Sequence, residues 1–242
     1  MNSLFQSAFR YGLIACVMIL GACASVQQTE RSKRVDPFES ANRAVFNFNE
    51  GLDKHVVKPV AQAYVKVLPD PVRQGVTNFF GNIGDIFVAA NNLLQGKPTQ
   101  AVSDLGRVLL NTTVGILGLF DVASDAGLEK HKEDFGQTLG VWGVNTGPYV
   151  VLPLFGPSNV RDTVGFGVDL STDFVMNTGS LNTEAKVLVN TLRIVNFRAN
   201  TLDAEHLVEE AALDKYSFIR DSYLQRRRNQ VYDGDPPPQK DE

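Results

Sequence analysis

The chain has 242 residues, long enough for one domain with a substantial core, and a formal net charge of −4 from 23 Lys and Arg against 27 Asp and Glu. This balance lacks the basic excess of a nucleic-acid-binding surface, so no nucleic acid is expected as a partner. With only two cysteines and three histidines, the chain also has little material for a disulfide framework or a histidine metal site.

The N-terminal residues are typical of a secretory signal. Arg10 precedes a mostly apolar run over residues 11–20, which is too short to span the ~30 Å of membrane hydrocarbon. The run ends in Leu20-Gly21-Ala22-Cys23, which resembles a bacterial lipobox, where the cysteine thiol is acylated and begins the mature chain. We therefore expect residues 1–22 to form a lipoprotein signal peptide, residues 23–35 an acylated tether, and Cys23 to be the lipidation site. The alternative is a secreted protein with a chance cysteine.

The residue after the cysteine bears on location. Ala24, rather than Asp, follows Cys23, and by resemblance to lipoproteins of Gram-negative bacteria this implies the outer membrane. Cys16 lies in the signal and Cys23 would carry acyl chains, so no disulfide is expected in the mature chain. The longest later apolar run, residues 114–120, ends at Asp121, and so we predict interfacial amphipathic helices rather than a membrane-spanning one.

Helix signals are strong in the first half of the mature chain. Asp36 is suited to an N-cap, with Pro37 at the first helical position and Glu39 closing a capping box. Asp70-Pro71 repeats the cap and proline, and Thr99 is the predicted cap of a later helix. Further helices are expected over residues 60–68, 70–80, 85–95 and 100–113.

The pattern changes at Phe135, where glycine and β-forming residues become frequent. Residues 141–144 and 149–152 flank Asn145-Thr146-Gly147-Pro148, which predicts a hairpin closed by this loop. A helix end followed by an extended loop is the alternative interpretation. Helices then follow from a Ser158 cap, over residues 183–200 and, longest of all, over residues 203–231. The pattern predicts an all-α (mainly α) fold with one small β element.

The sequence carries no recognisable catalytic or metal motif. A G-x-S-x-G elbow, a P-loop and an H-E-x-x-H pair are all missing. His131 and His206, like His55, have no ligand at metal spacing, and we expect exposed histidines. The carboxylate pairs Asp121/Asp125 and Asp169/Asp173 stand at i, i+4, which favours helix termini or solvated faces. We expect no enzyme, no cofactor and no bound metal.

Several motifs, taken together in chain order, resemble the MlaA (VacJ) family of outer-membrane lipoproteins. The similarity covers residues 36–233, taken as an MlaA-like helical domain, and leaves residues 234–242 as a proline-rich tail expected to be disordered. The matching positions are Asp36-Pro37-Phe38-Glu39, Asn42-Arg43, Phe46-Asn47-Phe48-Asn49, Lys58-Pro59-Val60-Ala61, Asn78-Phe79, Asn92-Leu93-Leu94-Gln95-Gly96, Arg107, Asn111-Thr112-Thr113, Gly115, Asp121-Val122-Ala123, Phe135-Gly136-Gln137-Thr138-Leu139-Gly140, Gly147-Pro148-Tyr149, Leu152-Pro153, Gly156 and Arg161-Asp162.

The resemblance implies a ring-like arrangement of short amphipathic helices with one small β-hairpin, embedded in the inner part of the outer membrane around an amphipathic channel. Members of this family take glycerophospholipids from the outer leaflet and pass them to a soluble periplasmic phospholipid carrier, which preserves lipid asymmetry. The carrier delivers them to an ATP-driven complex in the inner membrane. A trimeric porin is the partner that the resemblance implies in the outer membrane.

Two segments are candidates for the channel or its gate. Phenylalanine beside asparagine could offer both an apolar rim and polar groups, and glycine relaxes backbone constraints in a movable lip. Ordinary core phenylalanines and plain turns are the alternative interpretation. The candidate residues are Asn47, Phe48, Phe135, Gly136, Gly140, Trp142, Gly143 and Tyr149.

Two other functions remain open. A structural lipoprotein that binds another envelope component without moving lipid would share the lipobox. A lipid-modifying enzyme such as a phospholipase would need an activated nucleophile, and no Ser/His pair here has a recognisable setting.

Overall fold

The computed structural model describes residues 35–177 and 181–238. The predicted signal peptide and Cys23 lie outside the described residues, as do residues 239–242 of the predicted tail. In chain order the elements are α1 (Glu39–Leu52), a π-helical turn (Asp53–Val57), α2 (Lys58–Val67), α3 (Asp70–Leu94), α4 (Pro98–Thr113), α5 (Val122–Asp125), α6 (Phe135–Val141), β1 (Tyr149–Leu152), β2 (Gly156–Asn159), α7 (Val160–Thr172), α8 (Phe174–Asn177), α9 (Thr183–Ala199), α10 (Leu202–Ala211) and α11 (Lys215–Val231). The prediction of a mainly α fold with one small hairpin is confirmed.

Helix α3 is one element of 25 residues, where the sequence predicted two helices. Glycine at positions 81 and 84 weakens a helix without stopping it, because its backbone N–H still bonds within the helix. Asp85 is therefore an interior residue rather than a cap. Its side chain is buried and accepts hydrogen bonds from Lys130, at 2.8 and 3.0 Å, and from Arg107 at 3.4 Å.

The predicted strand over residues 149–152 is confirmed as β1, but its partner is β2 and not the predicted segment 141–144. Strand β1 pairs antiparallel with β2, from Tyr149 opposite Asn159 to Leu152 opposite Gly156. Leu154, in the turn between them, and Gly156, the first residue of β2, both have positive φ. Residues 141–144 do not form a strand, because α6 occupies Val141 and ends there.

Gly143 terminates α6. It has a φ of +90°, its N–H donates to the carbonyl of Gly140, and the N–H of Val144 donates to the carbonyl of Leu139. These are the two hydrogen bonds of a Schellman motif, in which glycine is favoured because a Cβ disfavours the left-handed conformation.

Several predicted caps are wrong by one or more residues. Helix α1 is preceded by Phe38, which makes no side-chain capping bond, and Asp36 is instead fully buried where it accepts hydrogen bonds from Tyr216 and Asn42. Helix α4 begins at Pro98 after Lys97 rather than after a Thr99 cap.

The later caps also differ from the prediction. Asn159 rather than Ser158 caps α7, through a 2.8 Å bond from the N–H of Asp162. The predicted helix over 203–231 is divided, because Asp214 caps a new helix by accepting the N–H of Tyr216 at 3.2 Å.

Packing between the helices closes on itself. Helix α3 contacts α6, α6 contacts α7, α7 contacts α8, α8 contacts α9, and α9 contacts α3 again. The hairpin lies against α1 through β1 and against α11 through β2, and α11 also contacts α6. Even the longest of the described helices lacks an apolar stretch of the length needed to cross a membrane.

Candidate functional site

Among the described residues, many polar and charged side chains are buried while many large apolar side chains are exposed. Among the described residues, the largest fully buried side chains include Arg107, Gln137 and Asn92. Phenylalanines, by contrast, stand at the surface, with Phe48 57% and Phe197 70% exposed. Charged side chains are almost never fully buried unless paired, and large apolar patches are rarely left in water. The outer faces therefore suit an apolar surrounding.

One buried charge cluster is centred on Arg107, which joins α3 and α4 to the segment around α5. Its guanidinium donates to both carboxylate oxygens of Asp121, at 2.8 and 3.0 Å. Burial alone would raise the pKa of Asp121. Hydrogen bonds from Ser124, Asn111 and Arg107 outweigh that effect and lower the pKa to about 2. Asp121 also caps α5, so its prediction as a helix-terminus residue is confirmed.

A second buried cluster is centred on Arg227 of α11. Its guanidinium donates to Asp134 at 2.6 and 2.9 Å and to Asp162 at 2.8 Å. Asp162 also accepts from the hydroxyl of Tyr223 at 2.8 Å and from Asn159 at 2.6 Å. Burial opposes ionisation of both carboxyls, but the hydrogen bonds and charge of Arg227 hold the pKa of each below its ordinary value. The cluster fixes α11 against α6 and α7.

Helices α6 and α7 approach each other at glycines. A Cβ at Gly165 would lie 2.4 Å from the backbone nitrogen of Gly136, so any residue other than glycine at position 165 would clash with α6. A Cβ at Gly140 would lie 2.7 Å from Arg161 and 2.8 Å from Val231. Gly136 and Gly140 therefore occupy close-packed positions beside the Arg227 cluster.

A cavity of about 380 Å³ lies beside this cluster, between α6, α7, α11 and the hairpin. Its wall combines charged groups with aromatic rings, and the rings of Phe155 and Phe166 lie 4.7 Å apart. We call it the amphipathic cavity. It is lined by Asp134, Leu152, Phe155, Pro157, Ser158, Asp162, Phe166, Asp169, Tyr223, Arg226, Arg227 and Gln230.

Asp169 was predicted on a helix terminus or solvated face. It lies in the last turn of α7, whose C-cap is Asp173, and it also lines the wall of the amphipathic cavity. Its carboxylate oxygens both lie 3.3 Å from the N–H of Phe135, which donates to them. Burial and repulsion by the Asp134 carboxylate raise the pKa of Asp169 to about 6.

A larger cavity of about 680 Å³ also lies beside α11 and is lined mostly by polar and charged side chains. Arg226 and Gln230 line both cavities, so the two spaces meet at this face of the helix. The remaining wall of the larger cavity comes mainly from residues 129–133 and from the polar side chains of α11.

Two asparagines of α1 hold the hairpin. Asn42 donates to the carbonyl of Tyr149 at 3.0 Å and accepts the N–H of Val151 at 2.9 Å. Asn49, seven residues later on the same face of α1, makes the equivalent pair of bonds further along the hairpin, at 2.9 and 2.8 Å. Both asparagines belong to the family motif, but their role in holding the hairpin was not predicted from the sequence. Their spacing of seven residues, which puts them on one face of a helix, was the available signal.

Comparison with known proteins identifies the family. A model described as MlaA lipoprotein matches residues 34–230. The chain belongs to the MlaA lipoprotein family. The intermembrane phospholipid transport system lipoprotein MlaA of Escherichia coli strain K12 is 38% identical over 212 residues, which cover 86% of this chain and 82% of the relative.

Other MlaA relatives agree with this assignment. The protein of the same name from Haemophilus influenzae is 29% identical, over 92% of this chain and 89% of the relative. A solved structure described as "Structural basis for maintenance of bacterial outer membrane lipid asymmetry" has a TM-score of 0.69 and 34% identity, and the match covers 82% of this chain and 100% of that one.

Seven of the eight predicted channel residues fall into two groups in this MlaA-family fold. Asn47 and Phe48 are exposed on α1, the helix that packs on β1. Phe135, Gly136, Gly140, Trp142 and Gly143 lie on α6 or at its end. The rings of Phe135 and Trp142 meet edge to face, with centroids 5.9 Å apart. The indole N–H of Trp142 donates to the carbonyl of Leu94 at 3.0 Å, which ties the end of α6 to the end of α3.

Tyr149 is in the core rather than at a surface. It is 1% exposed and packs with Tyr216 and Tyr223. Its hydroxyl has no hydrogen-bond partner among the described residues, and burial raises the pKa of this hydroxyl above its ordinary value.

The histidines differ from the prediction in one case. His55 is exposed as predicted, whereas His131 is partly buried and its Nδ1 lies 2.8 Å from Asp104. The side chain of His206 lies outside the described part of the chain. Within the described residues, no three side chains of metal-ligating type come together as a site.

Proposed function

We propose that this chain is the outer-membrane lipoprotein of an intermembrane phospholipid transport system. It removes glycerophospholipids that have reached the outer leaflet and passes them to a soluble periplasmic carrier, which maintains outer-membrane lipid asymmetry. The observation that carries this proposal is the combination of buried, ion-paired polar groups with many exposed large apolar side chains among the described residues.

The closed circuit of helices supports a ring with a lipid path through it. A phospholipid needs apolar contact for its acyl chains and polar contact for its headgroup. The amphipathic cavity offers both, because aromatic side chains and charged groups share one wall. Transfer along such a path breaks no covalent bond, so the direction of transport comes from the carrier and the ATP-driven complex beyond it.

The anchor is the first finer element of the proposal. Acylation of Cys23 would hold the protein on the periplasmic side of the outer membrane. One acyl chain gives only marginal binding, at ~0.8 kcal/mol per buried methylene, whereas the several chains of a lipoprotein cysteine bind firmly. Metabolic labelling with a palmitate analogue should tag the natural protein and leave a Cys23→Ser variant untagged. A natural protein that takes up no label would refute the anchor.

The gate is the second finer element. We place it at residues 135–149, with Asn47 and Phe48 on α1 as a second element that sets the closed state. The close packing of Gly136 and Gly140 favours movement of α6 as a rigid helix, with Trp142 as its latch on Leu94. Valine at Gly140 would therefore disturb packing against Val231 as well as any motion, and Trp142 is the better position to test.

The two proposed protein partners, the trimeric porin and the soluble periplasmic carrier, rest on the family resemblance, and the structure offers a candidate surface for the porin. A trimeric porin needs a lateral apolar face, and α4 offers one in Val102, Leu105 and Leu109, which are all exposed at helical spacing. Photocrosslinking from Leu109 in cells should capture a porin if this face is the contact. A photocrosslinker at Lys132, in the polar cavity, serves as the control that should not.

The main experiment is gene deletion in the natural host followed by complementation. Loss of the protein should expose phospholipid on the cell surface and sensitise cells to detergent, and the natural chain should restore both. A purely structural lipoprotein predicts detergent sensitivity without surface phospholipid. Incubation of the purified protein with phospholipid tests the phospholipase alternative, which predicts lysophospholipid as a product.

A further inference from the structure

One arginine stands at the junction of the two cavities without a charge partner. Arg226 is exposed, lines both spaces, and forms no ion pair with any residue that the structure describes. Its neighbours on α11 are occupied, because Arg227 pairs with Asp134 and Asp162, and Arg228 donates to the carbonyl of Pro237.

One carboxyl in the wall of the amphipathic cavity also lacks an ion-pair partner among the described residues. Asp169 has no cation partner within residues 35–177 and 181–238, and the N–H of Phe135 donates to it at 3.3 Å. Burial and the nearby Asp134 carboxylate raise its pKa to about 6, although the Phe135 N–H and the charge of Arg227 act in the opposite direction. A cation bound beside Asp169 would relieve this repulsion.

The other ionisable groups of the amphipathic cavity are ion-paired, both carboxylates with Arg227 and Asp162 also with Arg161 at 2.8 Å. Asp134 of the segment before α6 and Asp162 of α7 share Arg227 of α11, and the hydroxyl of Tyr223 donates to Asp162. The cavity therefore presents one guanidinium and one carboxyl that have no ion-pair partner among the described residues. Aromatic side chains at Phe155 and Phe166 complete its wall.

We infer that the amphipathic cavity binds the headgroup of a zwitterionic glycerophospholipid, with Arg226 on the phosphate and Asp169 on a primary ammonium. This inference rests on the proposed function and names the lipid class that it would favour. Guanidinium is the side chain best matched to phosphate, because its planar fork can donate two charge-assisted hydrogen bonds. A volume of about 380 Å³ falls in the range of ligand sites and suits a headgroup rather than a whole lipid. The acyl chains would then lie along the aromatic side chains and the apolar outer faces.

The test compares two phospholipids with identical acyl chains and a photoreactive group near the glycerol. Phosphatidylethanolamine carries phosphate and ammonium, whereas phosphatidylglycerol carries phosphate alone. The full acylated protein is reconstituted in micelles, and the yield of crosslinking to the wall of the amphipathic cavity is measured by peptide mapping. Variants Arg226→Gln and Asp169→Asn are compared with Arg228→Gln, a matched arginine on the same helix outside both cavities.

The expected pattern separates the two roles. Arg226→Gln should lower crosslinking of both lipids about tenfold, the value of one lost charge-assisted hydrogen bond. Asp169→Asn should lower crosslinking of phosphatidylethanolamine only, and acidification from pH 8 to pH 5 should do the same in the natural protein. Arg228→Gln should behave as the natural protein. Equal yields in all variants, or equal loss of both lipids in Asp169→Asn, would overturn the inference.

Two further arms identify the source of the phosphate and separate this inference from the proposed function. Inorganic phosphate should compete weakly and glycerophosphoethanolamine more strongly; stronger competition by inorganic phosphate would assign the site to the free ion and overturn the inference. In parallel, the natural chain is tested for rescue of surface phospholipid in the deletion strain. Rescue combined with unchanged crosslinking in every variant overturns the headgroup site alone, whereas failure of rescue overturns the proposed function.

Discussion

The side-chain amide of Asn42 completes the free edge of strand β1 at Val151. It accepts the N–H of Val151 at 2.9 Å and donates to the carbonyl of Tyr149 at 3.0 Å, as a neighbouring strand would. A two-stranded hairpin is marginal on its own and has unpaired edge groups that must be satisfied when buried. Helix α1 meets that need with side chains, so the family motif around Asn42 positions the hairpin.

Replacing Asn42 by leucine should destabilise the protein strongly. The variant leaves buried groups of Tyr149 and Val151 without partners and removes a donor to the buried Asp36. Each unsatisfied buried group costs ~1–3 kcal/mol, so we expect a loss of about 3 kcal/mol or more in the free energy of unfolding. Far-UV circular dichroism during denaturation in detergent measures it. Asn47→Leu, exposed on the same helix, should change stability by less than about 0.5 kcal/mol. Equal effects of the two variants would contradict the role of Asn42.

Arg107→Met should be among the most destabilising substitutions in the chain. Asp121 would remain without the guanidinium that pairs with it, and Asp85 would keep only Lys130. Removing one partner of a buried ion pair costs ~3–5 kcal/mol, because the other charge stays buried. The exposed Lys54→Met is the control and should unfold with the natural protein. Thermal unfolding in detergent distinguishes them, and a midpoint shared by all three proteins would refute the importance of the cluster.

Local signals explain what sequence alone predicted well. Asp70-Pro71 and the glycine after Leu94-Gln95 act within a few residues, so they located the ends of α3, although Asp70 is its first residue and Pro69 is the N-cap. The glycines at 81 and 84, by contrast, do not show from the sequence whether the helix ends or continues. Their effect depends on tertiary bonds, here those of Asp85 with residues 22 and 45 positions away.

Partners distant in the chain explain what was missed. Asp36 is of a residue type that often caps helices, but its carboxylate instead accepts a hydrogen bond from the hydroxyl of Tyr216, 180 positions away. The hairpin was paired with the wrong segment because its register depends on a turn around Leu154 and on the asparagines of α1. The position of Asp169 in a cavity wall was not predicted, because the residues of that wall come from separate elements of the chain.

Asp169→Asn should raise stability at neutral pH and not at acidic pH. A carboxyl whose pKa rises from 3.8 to about 6 on folding contributes stability below the ordinary value and loses it as the pH rises through 6. The asparagine variant lacks that penalty, so it should be more stable than the natural protein above pH 6, by at most about 3 kcal/mol before screening by solvent at the cavity mouth. The difference should shrink towards pH 4. Denaturation midpoints at a series of pH values test this, and a gap that does not vary with pH would oppose it.

Trp142→Phe should loosen α6 without unfolding the protein. Phenylalanine keeps an aromatic ring beside Phe135 and loses only the hydrogen bond to the carbonyl of Leu94. A net loss of ~0.5–1.5 kcal/mol corresponds to roughly two- to tenfold faster amide exchange over α6. Hydrogen exchange with mass spectrometry provides the readout, and Phe174→Leu, another exposed aromatic position, is the comparison. Unchanged exchange over α6 in the Trp142 variant would argue against a latch.

The loop between α4 and α5 should lie in lipid. Ile116 and Leu117 adopt left-handed backbone conformations, which cost ~1–2 kcal/mol for residues with a Cβ, yet the loop is held by tight backbone bonds such as that from Gly118 to the carbonyl of Asn111, at 2.7 Å. The loop thus displays apolar side chains outward, with Leu117 67% exposed. Such strain and exposure together suit a segment whose apolar side chains are covered by acyl chains.

A tryptophan probe at Leu117 can measure this directly, because Trp142 is the single tryptophan of the chain. In a Trp142→Phe background, Leu117→Trp in reconstituted liposomes should be quenched strongly by lipids with brominated acyl chains and weakly by aqueous acrylamide. Lys132→Trp in the same background, in the polar cavity, should show the reverse. Burial of a leucine side chain in hydrocarbon is worth ~1.5–3 kcal/mol, which is enough to offset the backbone strain of this loop. A loop that stays in water would lack this stabilisation. Acrylamide quenching at Leu117→Trp as strong as at Lys132→Trp would therefore place the loop in the periplasm and remove it from the membrane-facing surface.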